Sequence, residues 1–312
     1  MRTLVLGGGG MAGHVIAAYL LKRAGHEVTA TVRTAGDIPV VRQVCGAGGG
    51  VQADASGSRA EGAAAAGRGP ALDVRVLDVR RFEQVADLVA EVRPDIVVNA
   101  VGILNRQAED YPLDAYLVNG LLPHWLRHLC KREEARLIHI SSDCVFLGDR
   151  GGYAEEERPD GVTVYARSKA LGEIADPACL TLRTSIIGPE LRSHGIGLLK
   201  WFLGSTGSVQ GYVNVHWNGV TTLELAKAVV WAIGHPEAGG IVHLTAPEAV
   251  SKHELLGLFA EAFDRRDIVI VPEAEPAIDR TLAPTKSGFG HRPPAYPQML
   301  AELRRWMDGE AD

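Results

Sequence analysis

The sequence predicts an α/β fold, a doubly wound parallel sheet with a smaller C-terminal lobe, and three observations predict it. Short apolar runs alternate with helical periodicity from Arg2 to Ile187, the pattern of parallel strands joined by crossover helices. A glycine-rich turn links the first apolar run to the first helical stretch. Beyond Gly188 the alternation loosens, with more Gly, Pro and Trp between shorter elements, as expected of a lobe that shapes a cleft.

Arg2 to Leu6 is the first strand, followed by Gly7-Gly8-Gly9-Gly10-Met11-Ala12-Gly13 and an amphipathic stretch from His14 to Ala24, closed by Gly25. Gly7, Gly10 and Gly13 fit a GxxGxxG spacing. The first permits the turn, the second lets backbone N–H groups approach a pyrophosphate, and the third allows the helix to pack closely on the strand. A glycine cluster alone reads as a flexible turn. Between a first strand and a first helix it reads as a Rossmann-type dinucleotide cradle, with Met11 and Ala12 opening the helix whose positive end faces the phosphates.

His26 to Arg33 is the second strand, and Arg33 falls where the adenosine ribose is recognised in a βαβ unit. A carboxylate there would bind a free 2′-hydroxyl. Arginine suits a 2′-phosphate through charge-assisted N–H donors, so NADP (as NADPH) is expected over NAD, with NAD open and an ordinary exposed arginine as the other reading. Asp78, ending the Val74 to Leu77 strand, either accepts from the adenine amino group or is a strand-terminal loop residue.

Gly46 to Pro70 is rich in Gly and Ala and reads as a mobile surface loop. Next come a helix from Phe82 to Val92, a buried strand from Asp95 to Ala100, a largely helical stretch from Pro112 to Lys131 and a strand from Arg136 to Ser141. Thr163 to Ala175 reads as a helix and Ala178 to Ile187 as a returning strand. Capping boxes at Thr221 with Glu224 and Ser251 with Glu254 start helices running to about Ile233 and to Phe263. Asp267 to Val271 is a late strand and Gln298 to Met307 a terminal helix. The division expected is a dinucleotide-binding domain over residues 1–180 and a substrate-binding lobe over 181–312, interleaved with it.

Tyr165-Ala166-Arg167-Ser168-Lys169 lies 23 residues after Ser142. A phenol and an ammonium four residues apart share one helix face, and the cation is expected to pull the phenol down from a pKa of about 10. That would make the tyrosine an acid usable near neutrality. Alone, the pair also reads as an exposed helix with a snorkelling lysine. Ser141 and Ser142 put hydroxyls at the C-terminal end of a parallel strand, where ligands bind in open α/β sheets. Together these bring a phenol, an ammonium and the hydroxyls of Ser141 and Ser142 forward as candidates for one site.

Composition narrows the partners. The 312 residues carry 32 Lys and Arg against 38 Asp and Glu, a net charge of −6, so no global basic field invites nucleic acid. Cys45, Cys130, Cys144 and Cys179 are isolated, which fits reduced thiols better than disulfides or zinc, and the 11 histidines show no ligand spacing. No metal is expected. Neither an export signal nor an apolar run of about 18 residues is seen, so a cytoplasmic protein without membrane contact is expected.

The block from Ile138 to Gly148, the YxxxK helix and Leu182-Arg183-Thr184-Ser185 together resemble the extended short-chain dehydrogenase/reductases. More narrowly they resemble the dTDP-4-dehydrorhamnose reductase branch, with its STDYVFDG-like stretch, YGxSKxxGE helix and LRTSW-like strand. The matching pieces are Ser141 to Gly148, Tyr165 to Glu173 and Leu182 to Ile186, with the Asn99-Ala100 strand end and Asn119 in addition. The likeness covers most of the chain, strongly through residue 187. It implies that Ser142 stands beside the substrate carbonyl, that Tyr165 donates the proton, and that Lys169 serves Tyr165 and the nicotinamide ribose, with Asn99 and Ala100 also at the cofactor. The reaction implied is NADPH-dependent reduction of the keto group of a nucleotide-activated, dTDP-linked 4-keto-6-deoxy-sugar. Asn119 either braces the site or is a surface asparagine.

Three positions depart from that pattern: Cys144 replaces a tyrosine, Leu147 an aspartate and Ile186 a tryptophan. They turn the expectation away from the rhamnose precursor itself. Trp201, Trp217 or Tyr212 could substitute for the missing aromatic or belong to the core. His216 to Gly219 and Asp279 to Leu282 are candidates for sugar or diphosphate contacts, Arg280 reading equally as a diphosphate ligand and a salt-bridge partner. Two other functions stay open, an epimerase or dehydratase of the same superfamily and a non-catalytic NADP-binding regulatory subunit. The oligomeric state is not fixed by the sequence, a homodimer being one option.

Overall fold

The computed structural model describes residues 1–22, 26–46, 72–191, 195 and 197–310. The expected loop after Gly46 and the expected helix end at Ala24 and Gly25 lie outside the described residues. The first half runs β1 (Arg2–Leu6), α1 (Met11–Leu21), β2 (Glu27–Val32), α2 (Ile38–Gly46), β3 (Leu72–Val76), α3 (Phe82–Val92) and β4 (Ile96–Asn99). Next come α4 (Asn105–Asp110), α5 (Pro112–Ala115), a π-helical segment over Tyr116–Leu121, α6 (Leu122–Arg132), β5 (Arg136–Ile140), α7 (Val164–Leu171) and β6 (Leu180–Arg183).

The second half contributes β7 (Ile186–Ile187), α8 (Leu198–Gly204), β8 (Ser208–Tyr212), β9 (Val215–Trp217), β10 (Val220–Thr221), α9 (Thr222–Gly234) and β11 (Gly240–His243). It ends with β12 (Val250–Ser251), α10 (Lys252–Ala262), β13 (Val269–Glu273), β14 (Ile278–Asp279) and α11 (Tyr296–Asp308).

Seven strands form the main sheet in the order β11-β6-β5-β4-β1-β2-β3, every neighbouring pair parallel. This is the doubly wound Rossmann architecture. Strand order reverses between β1 and β4, so the crevice beyond their C-terminal ends is the topological switch point where such sheets bind ligands. The central strands are apolar on both faces because helices cover both. Leu4, Leu6, Val97 and Leu137 pack with α3 and α6 on one side, while Val5, Val98, Ile138 and Ile140 pack with α1 and α9 on the other. β11 comes from the C-terminal half yet extends the main sheet beyond β6.

Three expectations change. The helical stretch after Pro112 is interrupted by the π segment at Tyr116–Leu121. The Tyr165 helix stops at Leu171 rather than Ala175, and its C-cap Gly172 passes so close to Asn119 that a Cβ there would lie 1.9 Å from the Asn119 carbonyl oxygen. The returning strand also divides, β6 ending at Arg183 while β7 leaves the main sheet to pair with β10.

Ser251 and Glu254 make a full reciprocal capping box. At Thr221 only half of one forms: the hydroxyl accepts from Glu224 N at 3.1 Å, but the Glu224 carboxylate turns to His291 Nε2 at 2.7 Å. Isolated bridges from Asp149 to Asp279 and from Tyr153 to Leu282 tie the segment after β5 to the C-terminal part of the chain. No helix among the described residues is long and apolar enough to cross a membrane.

Candidate active site

The glycine turn is built as its spacing demands. Gly7 has φ of 90°, a left-handed conformation that favours glycine, and it lies against Ala100 at the end of β4. A Cβ on Gly13 would stand 2.1 Å from the Gly7 carbonyl oxygen, so α1 can sit this close to the turn only without a side chain there. Gly8 N donates to Thr31 O at 2.7 Å and Gly7 N to Thr31 Oγ1 at 3.1 Å, pinning the turn to β2. Gly10 caps α1 without a side-chain bond, and Met11 and Ala12 form its first turn. The amide groups of that turn therefore have no capping side chain and suit a phosphate.

Arg33 directly follows β2, is exposed, and makes no ion pair with a described residue. Asp78 follows β3, but Arg80 already holds its carboxylate, with Nε 2.9 Å from Oδ1 and Nη2 2.9 Å from Oδ2. Arg80 in turn reaches Asp114 at 2.8 Å. The Asp78 carboxylate is thus engaged in a local ion pair, which the sequence reading had left out. Asn99 is fully buried, facing His139 Nδ1 at 3.1 Å through its Nδ2 and accepting from Val101 N at 3.3 Å.

Ser142 caps a single 3-10 turn at Asp143–Val145, immediately beyond β5. Its Oγ accepts from Cys144 N at 3.1 Å and donates to Asp143 Oδ1 at 3.0 Å. Tyr165 and Lys169 stand on α7, which Thr163 caps by accepting from Ala166 N. Both are nearly buried, at 9% and 4% exposure. Lys169 Nζ donates to the Ile140 carbonyl at 2.7 Å.

Asn119, in the π segment, accepts from Ile103 N at 2.9 Å and donates to Ile103 O at 2.9 Å and Ser168 Oγ at 3.0 Å. Ser168 Oγ donates to Tyr165 O at 3.0 Å. Asn119 therefore braces α7 against the loop after β4, the first of its two sequence readings.

The electrostatics reverse one expectation. Burial pushes the Tyr165 phenol up from its ordinary value, helped by the nearby Cys144 and Asp143 and opposed by a hydrogen bond with Ser142. The Lys169 ammonium points to the Ile140 carbonyl, to which it donates at 2.7 Å. Burial pulls Lys169 itself down to about 8, against the attraction of Glu173. Desolvation thus outweighs the helix-face pairing on which the sequence expectation rested.

Behind the site lies a buried polar frame. Arg183 binds Glu173 in a bidentate pair, 2.7 Å at each contact, and Ser141 Oγ donates to Glu173 Oε1 at 2.7 Å. Glu155 accepts from His243 N and Thr285 N, joining β11 to the C-terminal segment. In front lies a cavity of about 250 Å³ whose lining includes Tyr165, Cys144, Leu147, Asn105, Glu109 and Arg280. Cys144 and Leu147, two of the departures noted in the sequence, face this cavity. The third, Ile186, pairs with Val220 instead.

The model of the RmlD substrate binding domain matches residues 1–289. The chain belongs to that family and so to the extended short-chain dehydrogenase/reductases. Relatives of this family member include the spore coat polysaccharide biosynthesis protein SpsK of Bacillus subtilis, 25% identical over 76% of this chain and 85% of that one. A dTDP-4-dehydrorhamnose reductase of Aggregatibacter actinomycetemcomitans is 27% identical over 65% of this chain and 73% of that one. Among solved structures, the dTDP-4-dehydrorhamnose reductase of Bacillus anthracis, in complex with NADP, superposes with a TM-score of 0.72. It is 17% identical and covers 97% of this chain and 98% of that one.

In this member of the RmlD family the C-terminal half of the chain brings residues that sequence reasoning did not assign. Lys252, the first residue of α10, lies with Nζ 4.5 Å from the centroid of the Trp217 ring. Trp217 is 4% exposed and stacks on Tyr296 at 5.6 Å, a core position. Asn218 is a bridge, joined to Leu282 N and O at 3.1 and 2.8 Å. Arg280 Nε donates to the Phe146 carbonyl at 3.0 Å and makes no ion pair with a described residue, contrary to its salt-bridge reading. One signal could have exposed Lys252: a cation in the first turn of a capped helix opposes the helix dipole. Among the described residues no group of three or more His, Cys, Asp or Glu side chains gathers as a metal site.

Proposed function

We propose that this chain is an NAD(P)-dependent oxidoreductase that uses NADPH to reduce the keto group of a nucleotide-linked sugar, with dTDP-linked 4-keto-6-deoxyhexoses as the substrate class. The carrying observation is that Tyr165 and Ser142 meet beyond the C-terminal end of β5, with Lys169, one helical turn after Tyr165, on the Ile140 carbonyl that ends this strand. Family membership and the names of the relatives support the substrate class.

The glycine turn and the uncapped start of α1 fit a pyrophosphate, and Arg33 fits a 2′-phosphate. Bound NADPH would supply the hydride; the protein supplies position and a proton. Tyr165, protonated at neutral pH as any phenol is, donates its proton to the developing alkoxide. Ser142 orients the carbonyl oxygen, and Lys169 supports the end of β5 while carrying positive charge beneath the site. Asn119 holds α7 in register through Ser168.

The test is to mix the protein with NADPH and a panel of nucleotide-linked keto-sugars and follow the absorbance of reduced nicotinamide. Stoichiometric oxidation of NADPH is expected for at least one dTDP-4-keto-6-deoxyhexose. Conversion without net loss of NADPH would replace this reading with an epimerase or dehydratase. No conversion of any member, with a partner enzyme co-purifying, would favour a regulatory subunit.

A further inference from the structure

Ser142 has one hydroxyl hydrogen, and Asp143 Oδ1 takes it at 3.0 Å in competition with the Tyr165 oxygen. A serine that donates to its neighbour at 3.0 Å cannot donate the same hydrogen to a substrate oxygen. Asp143 is thus a competitor within the site. Its side chain is buried, 9% exposed at the residue level, and makes no ion pair with a described residue. The cations whose charge acts on it are Lys252 and Arg280, both from the C-terminal half of the chain.

These two cations differ in freedom. Arg280 is anchored, with Nε on the Phe146 carbonyl and its stem over Gly148, where a Cβ would meet Arg280 Cγ at 2.6 Å. The Lys252 side chain has no hydrogen bond or ion pair with a described residue, and its ammonium rests over the Trp217 ring. Its backbone is nonetheless fixed, directly after Ser251 in the capping box that opens α10. Asp143 lies close to that ring: its N–H donates to the Thr184 carbonyl at 3.3 Å, and the next residue, Ser185, stands against Gly219, where a Cβ would lie 2.1 Å from the Ser185 carbonyl oxygen and 2.5 Å from the Trp217 ring. The charges acting on Lys252 are those of Asp143 and Cys144, and the Cys144 thiol, pushed up to about 12 by burial, is neutral below that.

We propose that Lys252 is a positioning residue: by shifting its ammonium from the Trp217 face onto the Asp143 carboxylate, it takes over that carboxylate and frees the Ser142 hydroxyl to donate to the substrate oxygen. No bond is made or broken in this exchange. Asp143 trades an O–H donor from Ser142 for an N–H donor from Lys252, and charge is conserved. The C-terminal half of the chain thereby sets the orientation of a hydroxyl in the N-terminal half. The kinetic consequence rests on the reductase reading above, whereas the coupling between Lys252 and Asp143 does not.

Two arms test it on the full chain. In the first, without substrate, lysines are reductively methylated with ¹³C and titrated by NMR, the Lys252 resonance being assigned by its loss in Lys252→Arg. Asp143→Asn should lower the Lys252 midpoint by about half a unit or more, since an attracting carboxylate is gone. An unchanged midpoint overturns the proposal.

In the second arm, Lys252→Met should lower kcat by about tenfold or more with NADPH affinity unchanged, and Lys252→Arg should restore most of it. In the Asp143→Asn background, where the acceptor for Ser142 is uncharged and weaker, Lys252→Met should cost little further. Independent, multiplying losses overturn the proposal. A raised substrate KM at unchanged kcat also does, because Lys252 would then be a plain substrate ligand. If the unaltered protein reduces no keto-sugar, the reductase reading fails, and the NMR arm still decides the coupling.

Discussion

The ammonium of Lys169 donates to the carbonyl of Ile140 at 2.7 Å, joining α7 to the last residue of β5 beneath the proposed catalytic set. Burial brings Lys169 down to about 8 from an ordinary 10.5. Between those values the unfolded chain binds a proton that the native state does not, so the Lys169 contribution to stability rises with pH across that window. Below about 8 both states are protonated and the penalty is complete. Lys169→Met removes this dependence. Urea unfolding at pH 7, 9 and 10.5 should show the stability difference between variant and parent changing in the parent's favour, by on the order of 3 kcal/mol across the window. A difference constant over that range would mean that Lys169 stays protonated.

Glu173 and Arg183 form an ion pair whose side chains are only 4% and 2% exposed. Glu173→Gln leaves a buried guanidinium without its counter-charge, and such half-broken pairs cost roughly 3–5 kcal/mol. Denaturant unfolding at pH 7 should report a loss of that size. A loss below about 1 kcal/mol would show water replacing the carboxylate.

Gly13 cannot accept a side chain without moving the Gly7 carbonyl, 2.1 Å from where the Cβ would stand. Gly13→Ala should therefore lift α1 from the turn, weakening NADPH binding by about tenfold or more and lowering stability by roughly 1–3 kcal/mol. Fluorescence titration with NADPH and thermal unfolding measure the two effects. Normal cofactor affinity in a folded Gly13→Ala protein would place the dinucleotide elsewhere.

Arg33, exposed just after β2, is the residue proposed above for the 2′-phosphate. Arg33→Ser should raise the KM for NADPH by about tenfold while leaving that for NADH nearly unchanged. Equal changes for both coenzymes would remove Arg33 from coenzyme choice.

The elements legible in the sequence are those whose own periodicity buries them. α3 spans Phe82–Val92 as its apolar spacing indicates, and the apolar runs at Arg2–Leu6 and Ile96–Asn99 are central strands. Motif spacing likewise located Ser142, Tyr165 and Lys169 at one end of β5. What was not legible depends on distant partners. In the π segment Asn119 bonds to Ile103 and Ser168, and α7 ends where Gly172 meets the Asn119 carbonyl. The upward shift of the Tyr165 phenol comes from tertiary burial, which a four-residue spacing cannot express. Lys252 and Asp143 act on each other's charge although they lie far apart in the chain, a relationship with no local signature beyond a cation at a helix start.

Proton donation by Tyr165 is tested most directly by single-turnover oxidation of NADPH in Tyr165→Phe with a nucleotide-linked keto-sugar that the parent protein reduces. The rate should fall by about 100-fold to 10,000-fold while NADPH affinity stays within about twofold, because only the donated proton is lost. An unchanged rate at unchanged affinity would contradict the role of Tyr165.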